Sequence, residues 1–302
     1  MPMIARGIGE FSKMRLLISG LSQSGKTYNL RSFIYGNYDY WNEKEEEKAV
    51  AYASGKKMII ISCPNEVGYR SLPEDTPHIS SYYFENDSEK DIRSVAWCTE
   101  TLKEFEACYR EAEAKRPDVL VIDGAHALYE TKFNIITSGD YLNGRDLKVD
   151  STTGRRDNYR AAALYSQAHV AFGNYIAMFY NSPIKTLVVT TWEDWQTART
   201  GDEKSADIGD ERFLWPALPG AMATKIVGRF DARLSARLEK RCLHSTCEHS
   251  KKMQLHHVWQ FYPYGDVMGV GIKGLHMTDA YKQKPWIHQS WTALQQLLQR
   301  AR

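Results

Sequence analysis

Near the start of the chain, Gly20, Leu21, Ser22, Gln23, Ser24, Gly25, Lys26 and Thr27 carry the spacing Gly, four residues, Gly-Lys-Thr. Each residue type suits the handling of a phosphate chain. Glycines at the two ends allow the backbone to turn its N–H groups inward on an anion. The ammonium of Lys26 would reach the terminal phosphates, and the hydroxyl of Thr27 would ligate Mg2+. Tyr28 follows, where a helix would begin and add its positive end. The spacing predicts a nucleotide site spanning residues 20–28, with ATP and Mg2+ as its ligands.

A second stretch strengthens the first. "VLVIDG" places Asp123 at the end of an apolar run, where its carboxylate would hold Mg2+ beside Thr27. "MIIISCPNE" ends on Glu66, a carboxylate positioned by chain order to orient or deprotonate an attacking water; a plain loop glutamate is the alternative. "LVVTTWED" ends in Thr190, Thr191 and Glu193, which would either sense the γ-phosphate or simply fit a strand. Lys225 and Arg229, in "ATKIVGRF", are four apart and would share a helical face. They are candidates for the cation that offsets charge on a transferring phosphoryl group, or ordinary surface charge. The expected catalytic set is Lys26, Glu66, Asp123 and Arg229.

These residues need elements to hold them. Residues 14–19, 56–64, 117–123 and 184–192 are continuous apolar runs of strand length, suited to a sheet covered on both faces. Between them, 26–35, 88–115 and 158–180 carry helical periodicity, with Ser88 and Asp91 as a start signal for the second. Alternation of strands and helices predicts an α/β fold with a mostly parallel sheet and helices on both faces. Beyond residue 225, "DARLSARLEKRCL", "MQLHHVWQFYP" and "GDVMGVGIKG" alternate and are broken by turns, which predicts a C-terminal antiparallel extension. "SWTALQQLLQRAR" closes the chain as an amphipathic helix. The expected organisation is a tail over 1–13, one domain over 14–275 with an aromatic and acidic insertion at 36–55, and a helical segment over 276–302.

With 39 basic and 37 acidic residues among 302, the formal charge is +2, so any nucleic-acid site must be local. Five scattered cysteines, no signal peptide and no apolar run of membrane-spanning length predict a reduced, cytoplasmic protein with no membrane partner.

Taken in order, "GLSQSGKT", "IIISCPNEVGYRSL", "VLVIDGAHALY", "LVVTTWED", "ALPGAMATKIVGRFDARLSARLEK" and "HHVWQFYPYGDVMGVGIK" resemble the phage-type AAA family ATPases with a RecA-like core, some of them associated with single-strand annealing and recombination. The resemblance covers most of 14–275. It implies a RecA-like P-loop ATPase, a homo-oligomer with trans-acting cations, a site in the host cytoplasm if the protein is viral, and an acidic residue at the position of Glu66. It also implies DNA contact through the loops after the second signature strand and the next core strand. Those are 137–160, with Arg145, Lys148, Arg155, Arg156 and Arg160, and 193–213; a flexible surface insertion, its basic count offset by Asp140, Asp146, Asp150 and Asp157, is the alternative for the first. Arg233, Arg237 and Arg241 form a further basic stripe that is either a binding surface or the wet face of a strand. The insertion at 36–55 and the cluster Cys242, His244, Cys247 and His249 depart from the family pattern; the cluster would make either a zinc site or a polar hairpin tip. Two other functions fit the same residues. A phosphotransferase would use 137–160 as a lid, and a nucleotide-bound packaging scaffold would turn over little. A GTPase is disfavoured by the lack of an N-K-x-D element to read guanine.

Overall fold

The computed structural model describes residues 13–36, 55–66, 75–84, 94–142, 158–200, 209–217, 228–241, 254–263, 266–267, 270–273, 275 and 279–300. Lys225, Arg145, Lys148, Arg155, Arg156, the four Cys and His residues at 242–249 and most of the 36–55 insertion lie outside them.

The apolar runs form strands in parallel. β1 (Met14–Gly20), β2 (Met58–Ser62), β3 (Ile79–Tyr82), β4 (Val119–Asp123), β5 (Thr186–Thr200) and β7 (Ala232–Arg241) lie in the spatial order β7-β1-β5-β4-β2-β3. β8 (Gln254–Gln260) and β10 (Trp286–His288) continue the sheet beyond β7 in antiparallel fashion. β6 (Gly209–Pro216) pairs with the outer half of β5, and β9 (Gly271–Ile272) with the start of β7.

The two-residue period of the strands sorts their side chains onto two faces. Leu17, Ile59, Ile61, Leu120, Ile122, Leu187 and Val189 share one core with α2 (Val95–Ala114), α3 (Ala125–Leu142) and α4 (Asn158–Asn181). Leu16, Ile18, Met58, Ile60, Val119, Val121 and Val188 share the other with α1 (Ser32–Tyr35) and α6 (Trp291–Arg300). A short α5 (Asp279–Gln283) precedes β10. Both faces are therefore covered, which is why these strands read as unbroken apolar runs. Arg15 interrupts the first run yet is buried. Its guanidinium donates to the Tyr180, Ser182 and Ile184 carbonyls at 3.1, 2.6 and 3.1 Å, tying the C-terminal end of α4 to β1. Among the described residues, no helix is long and apolar enough to cross a membrane.

Several expectations shift. β7 is not part of the antiparallel extension. It runs parallel to β1, from Leu16 opposite Ala232 to Gly20 opposite Ala236, and the antiparallel part begins at β8. Its alternation suggested a wet face, but Arg233 is only 2% exposed, with its guanidinium 4.6 Å from the centre of the Trp215 ring. The helix expected over 88–115 starts at Val95, where Ser94 caps it by accepting from the Trp97 N–H. The loop expected over 137–160 is helical at both ends, in α3 to Leu142 and in α4 from Asn158. The loop expected over 193–213 is largely a hairpin. β5 runs on to Thr200 and pairs with β6, because backbone pairing and the Thr and Trp side chains favour a strand despite the polar composition.

Candidate functional site

Parallel strands end on one edge. Gly20 pairs with Trp192 and Ser62 with Asp123, so the segments that leave β1, β2, β4 and the inner half of β5 emerge side by side. The loop of residues 20–27 crosses this edge above an open cavity of about 670 Å3, lined also by Tyr28, Glu66, Asp123, Thr190, Trp192 and His257.

Gly25 takes φ +82°, the left-handed region expected of it, and a side chain there would strike His257 and Asn29. Gly20 is needed for a different reason than the backbone freedom anticipated. A Cβ there would come within 2.6 Å of both the Ala236 carbonyl oxygen and Ser24 Oγ. The loop is braced from behind by residues remote in sequence. The Ser24 carbonyl accepts from Gln289 Nε2 at 2.9 Å and lies 3.2 Å from His257 Nδ1. Gln289 also donates to the Val258 carbonyl at 3.0 Å and accepts from Asn29 Nδ2 at 2.9 Å. The expected helix over 26–35 is only a 3-10 turn, Tyr28–Arg31, followed by the single turn α1, and Gly36 at φ +78° ends it. A helix dipole this short adds little, so an anion held here would depend on the loop's own N–H groups.

Lys26 folds back on this loop and donates to the Gly20 and Leu21 carbonyls at 2.8 and 2.9 Å. Burial pulls its pKa down, opposed by the Asp123, Glu66 and Glu193 carboxylates. Thr27 Oγ1 lies 3.2 Å from each Asp123 carboxylate oxygen. Thr190 Oγ1 donates to Asp123 Oδ1 at 2.5 Å and accepts from the Gly124 N–H at 3.0 Å. Burial pushes the Asp123 carboxyl up, while the Thr190 and Thr27 hydroxyls and the Lys26 charge pull it down.

Glu66 is buried beside them at 4% exposure. Its loop is shaped by Asn65 at φ +65°, whose Nδ2 donates to Thr131 Oγ1 at 2.9 Å. The Glu66 carboxylate lies against Gly124, at φ +86°, where any Cβ would overlap it. His126 Nε2 stands 3.4 Å from Glu66 Oε2. His126 Nδ1 accepts from the Trp192 N–H at 3.4 Å, and the two rings stack with centroids 4.4 Å apart. Burial, with the Lys26 charge, drives the imidazole pKa down to about 3, so the ring is neutral near pH 7.

Lys26, Thr27, Glu66 and Asp123 are thus brought together, and Thr190 joins them. Glu193 turns away. It accepts from Ser19 Oγ at 2.7 Å, and its Oε2 lies 3.9 Å from an Arg237 nitrogen. Arg229 does not join the group. It is exposed in the turn before β7, and β7 starts beside Leu16, so Arg229 sits toward the sheet edge opposite Lys26. Sequence reasoning missed His126, Trp192, His257, Asn29 and Gln289. Only His126 left a local signal, three residues past Asp123 in "DGAHA".

No family model and no curated protein matches the chain. Among solved structures, flagellar accessory protein FlaH from Methanocaldococcus jannaschii superposes with a TM-score of 0.33 at 11% identity, over 85% of this chain and 80% of that one.

Proposed function

We propose that this chain is a RecA-like P-loop ATPase that binds ATP with Mg2+ across residues 20–28 and hydrolyses it. The carrying observation is the convergence of Lys26, the Thr27–Asp123 pair and Glu66, from three separate segments, in one cavity at the C-terminal edge of a parallel sheet.

The donors fit the ligands. Thr27 and Asp123 offer hard oxygen atoms, the type that binds Mg2+, and the burial that pushes the Asp123 carboxyl up is a cost a cation would relieve. Ser24 Oγ, on the cavity wall, is buried with no hydrogen-bond partner among the described residues, which a phosphate oxygen would supply. When bound there, Mg2+ would neutralise phosphate charge. Lys26 leaves the two loop carbonyls it now occupies and meets the terminal phosphates. Glu66 takes a proton from water as the water oxygen bonds to the γ-phosphorus. The bond from that phosphorus to the bridging oxygen breaks, ADP leaves with the bridging oxygen, and the Glu66 proton passes to solvent.

The test is phosphate release from ATP without an acceptor, with and without single- or double-stranded DNA. Turnover is expected in the wild type, with losses of about a hundredfold or more in Glu66→Gln at normal ATP affinity. Lys26→Ala is expected to lose turnover while remaining folded. Release only in the presence of a small-molecule acceptor identifies a phosphotransferase instead. Stable ATP occupancy without release identifies a scaffold. Stimulation by DNA would support a recombination or annealing role.

A further inference from the structure

Resting on the ATPase reading, we propose that His126 is a positioning residue for the reaction: its Nε2–H donates to the Glu66 carboxylate and holds that carboxylate toward the nucleotide cavity. Three observations carry this. The Trp192 N–H occupies Nδ1, which leaves the ring proton on Nε2. Nε2 faces Glu66 Oε2 at 3.4 Å, with the two side chains 6% and 4% exposed. Such contacts are often long without substrate and tighten in the reacting complex. The ring itself is pinned by its stack on Trp192, the residue at which β5 leaves the central sheet for its hairpin.

The Glu66 carboxylate is confined on one side by the Gly124 backbone and addressed by a neutral donor from another. A charged donor in the place of His126 would lower the basicity of Glu66 and weaken it as a proton acceptor. A neutral imidazole orients it at less cost in basicity. Orientation matters because a misplacement of about 1 Å at a reacting group costs about a hundredfold in rate.

Two variants separate the donor from the ring. His126→Phe keeps an aromatic ring on Trp192 and removes the N–H. His126→Gln keeps an N–H donor and removes the ring. ATP affinity, titrated directly, is expected to stay within about twofold in both, while kcat falls about ten- to a hundredfold in His126→Phe and recovers most of that loss in His126→Gln. In a Glu66→Gln background, His126→Phe is expected to cause no further loss, since the two residues act as a unit. Independently of activity, nitrogen-15 NMR of histidine-labelled protein, with the His126 signals assigned by their disappearance in His126→Gln, is expected to show an Nε2–H tautomer. The proposal is overturned by wild-type kcat in His126→Phe, by His126→Gln as slow as His126→Phe, by loss of ATP affinity in step with kcat, by further loss in the Glu66→Gln background, or by an Nδ1–H tautomer. A wild-type chain that releases no phosphate overturns the ATPase reading and this proposal together. A wild-type chain that turns over while His126→Phe matches it overturns this proposal alone.

Discussion

At the scale of single residues, the site is controlled as much by what is absent at a position as by what is present. Gly124 follows Asp123 directly, and its missing side chain is the space that the Glu66 carboxylate occupies. Its φ of +86° adds a second reason for glycine. Gly124→Ala is expected to destabilise the fold by about 1–3 kcal/mol, combining backbone strain with displacement of Glu66. Because the carboxylate must move, turnover should fall more than ATP affinity does. A denaturant midpoint and a phosphate-release assay check both halves. Unchanged turnover in a strained but folded variant would show that Glu66 works from a different rotamer.

At the scale of elements, the loop of residues 20–27 has only a 3-10 turn and α1 behind it, so its shape depends on the far end of the chain. β8 brings His257 and the segment before α6 brings Gln289, and both address the Ser24 carbonyl. Those two contacts fix the Ser24 carbonyl, and with it the path of the loop over the cavity. Gln289→Leu removes donors from the Ser24 and Val258 carbonyls and an acceptor from Asn29. The expected cost is about 1–3 kcal/mol in stability, as for buried polar groups that lose a partner. The ATP KM should rise about tenfold with a smaller change in kcat, since the loop loses shape and Glu66 does not. Nucleotide titration alongside thermal unfolding tests this. A loss of kcat alone would place Gln289 outside the loop's support.

For the molecule as a whole, burial of His126 couples folding to pH. Its folded pKa, about 3, lies below the ordinary 6.5, so the unfolded chain takes up a proton that the folded chain does not. The associated stability is present in full above pH 6.5 and is lost as pH falls toward 3, at up to about 1.4 kcal/mol per pH unit. Asp123 works in the opposite sense. Its raised carboxyl pKa favours the folded state in acid, and that contribution is lost as pH rises above the ordinary 3.8. Urea midpoints between pH 8 and 5 should therefore fall in the wild type and fall less in His126→Gln. Equal slopes would mean that the imidazole is as easily protonated folded as unfolded. Assembly is a second whole-molecule question. Arg229 lies toward the edge away from its own Lys26, so only a second chain would bring it to a phosphate site. We propose a homo-oligomer in which it does so. Mixing Arg229→Ala with Glu66→Gln is then expected to restore part of the turnover that each lacks alone. Co-assembly without recovery returns Arg229 to the role of a surface charge.

What the sequence determined by itself was local. Lys26 and Thr27 were legible from the spacing of the glycine loop that follows an apolar run, and Asp123 and Glu66 from standing at or just past the end of one, since parallel strands covered on both faces must deliver their ends to one edge. Unbroken apolar runs identified the core strands, alternation marked β7 and β8, and the helical period found α4 and most of α2. The tertiary structure decided whatever depends on a partner far along the chain. The alternation of β7 could not show that Arg233 is buried and Arg237 half-buried, because Trp215 and Glu193 lie on other strands. Nothing local showed how a buried Arg15 is tolerated in β1; carbonyls at and just past the end of α4 supply its acceptors. Gln289, more than 260 residues from Ser24, left no local trace of its role. His126 is adjacent to a signature in sequence, yet its role follows only from where Glu66 and Trp192 arrive. Periodicity encodes which face of an element is covered. It does not encode which distant hydrogen-bonding group stands on the other side, because that depends on the order in which strands assemble in the sheet.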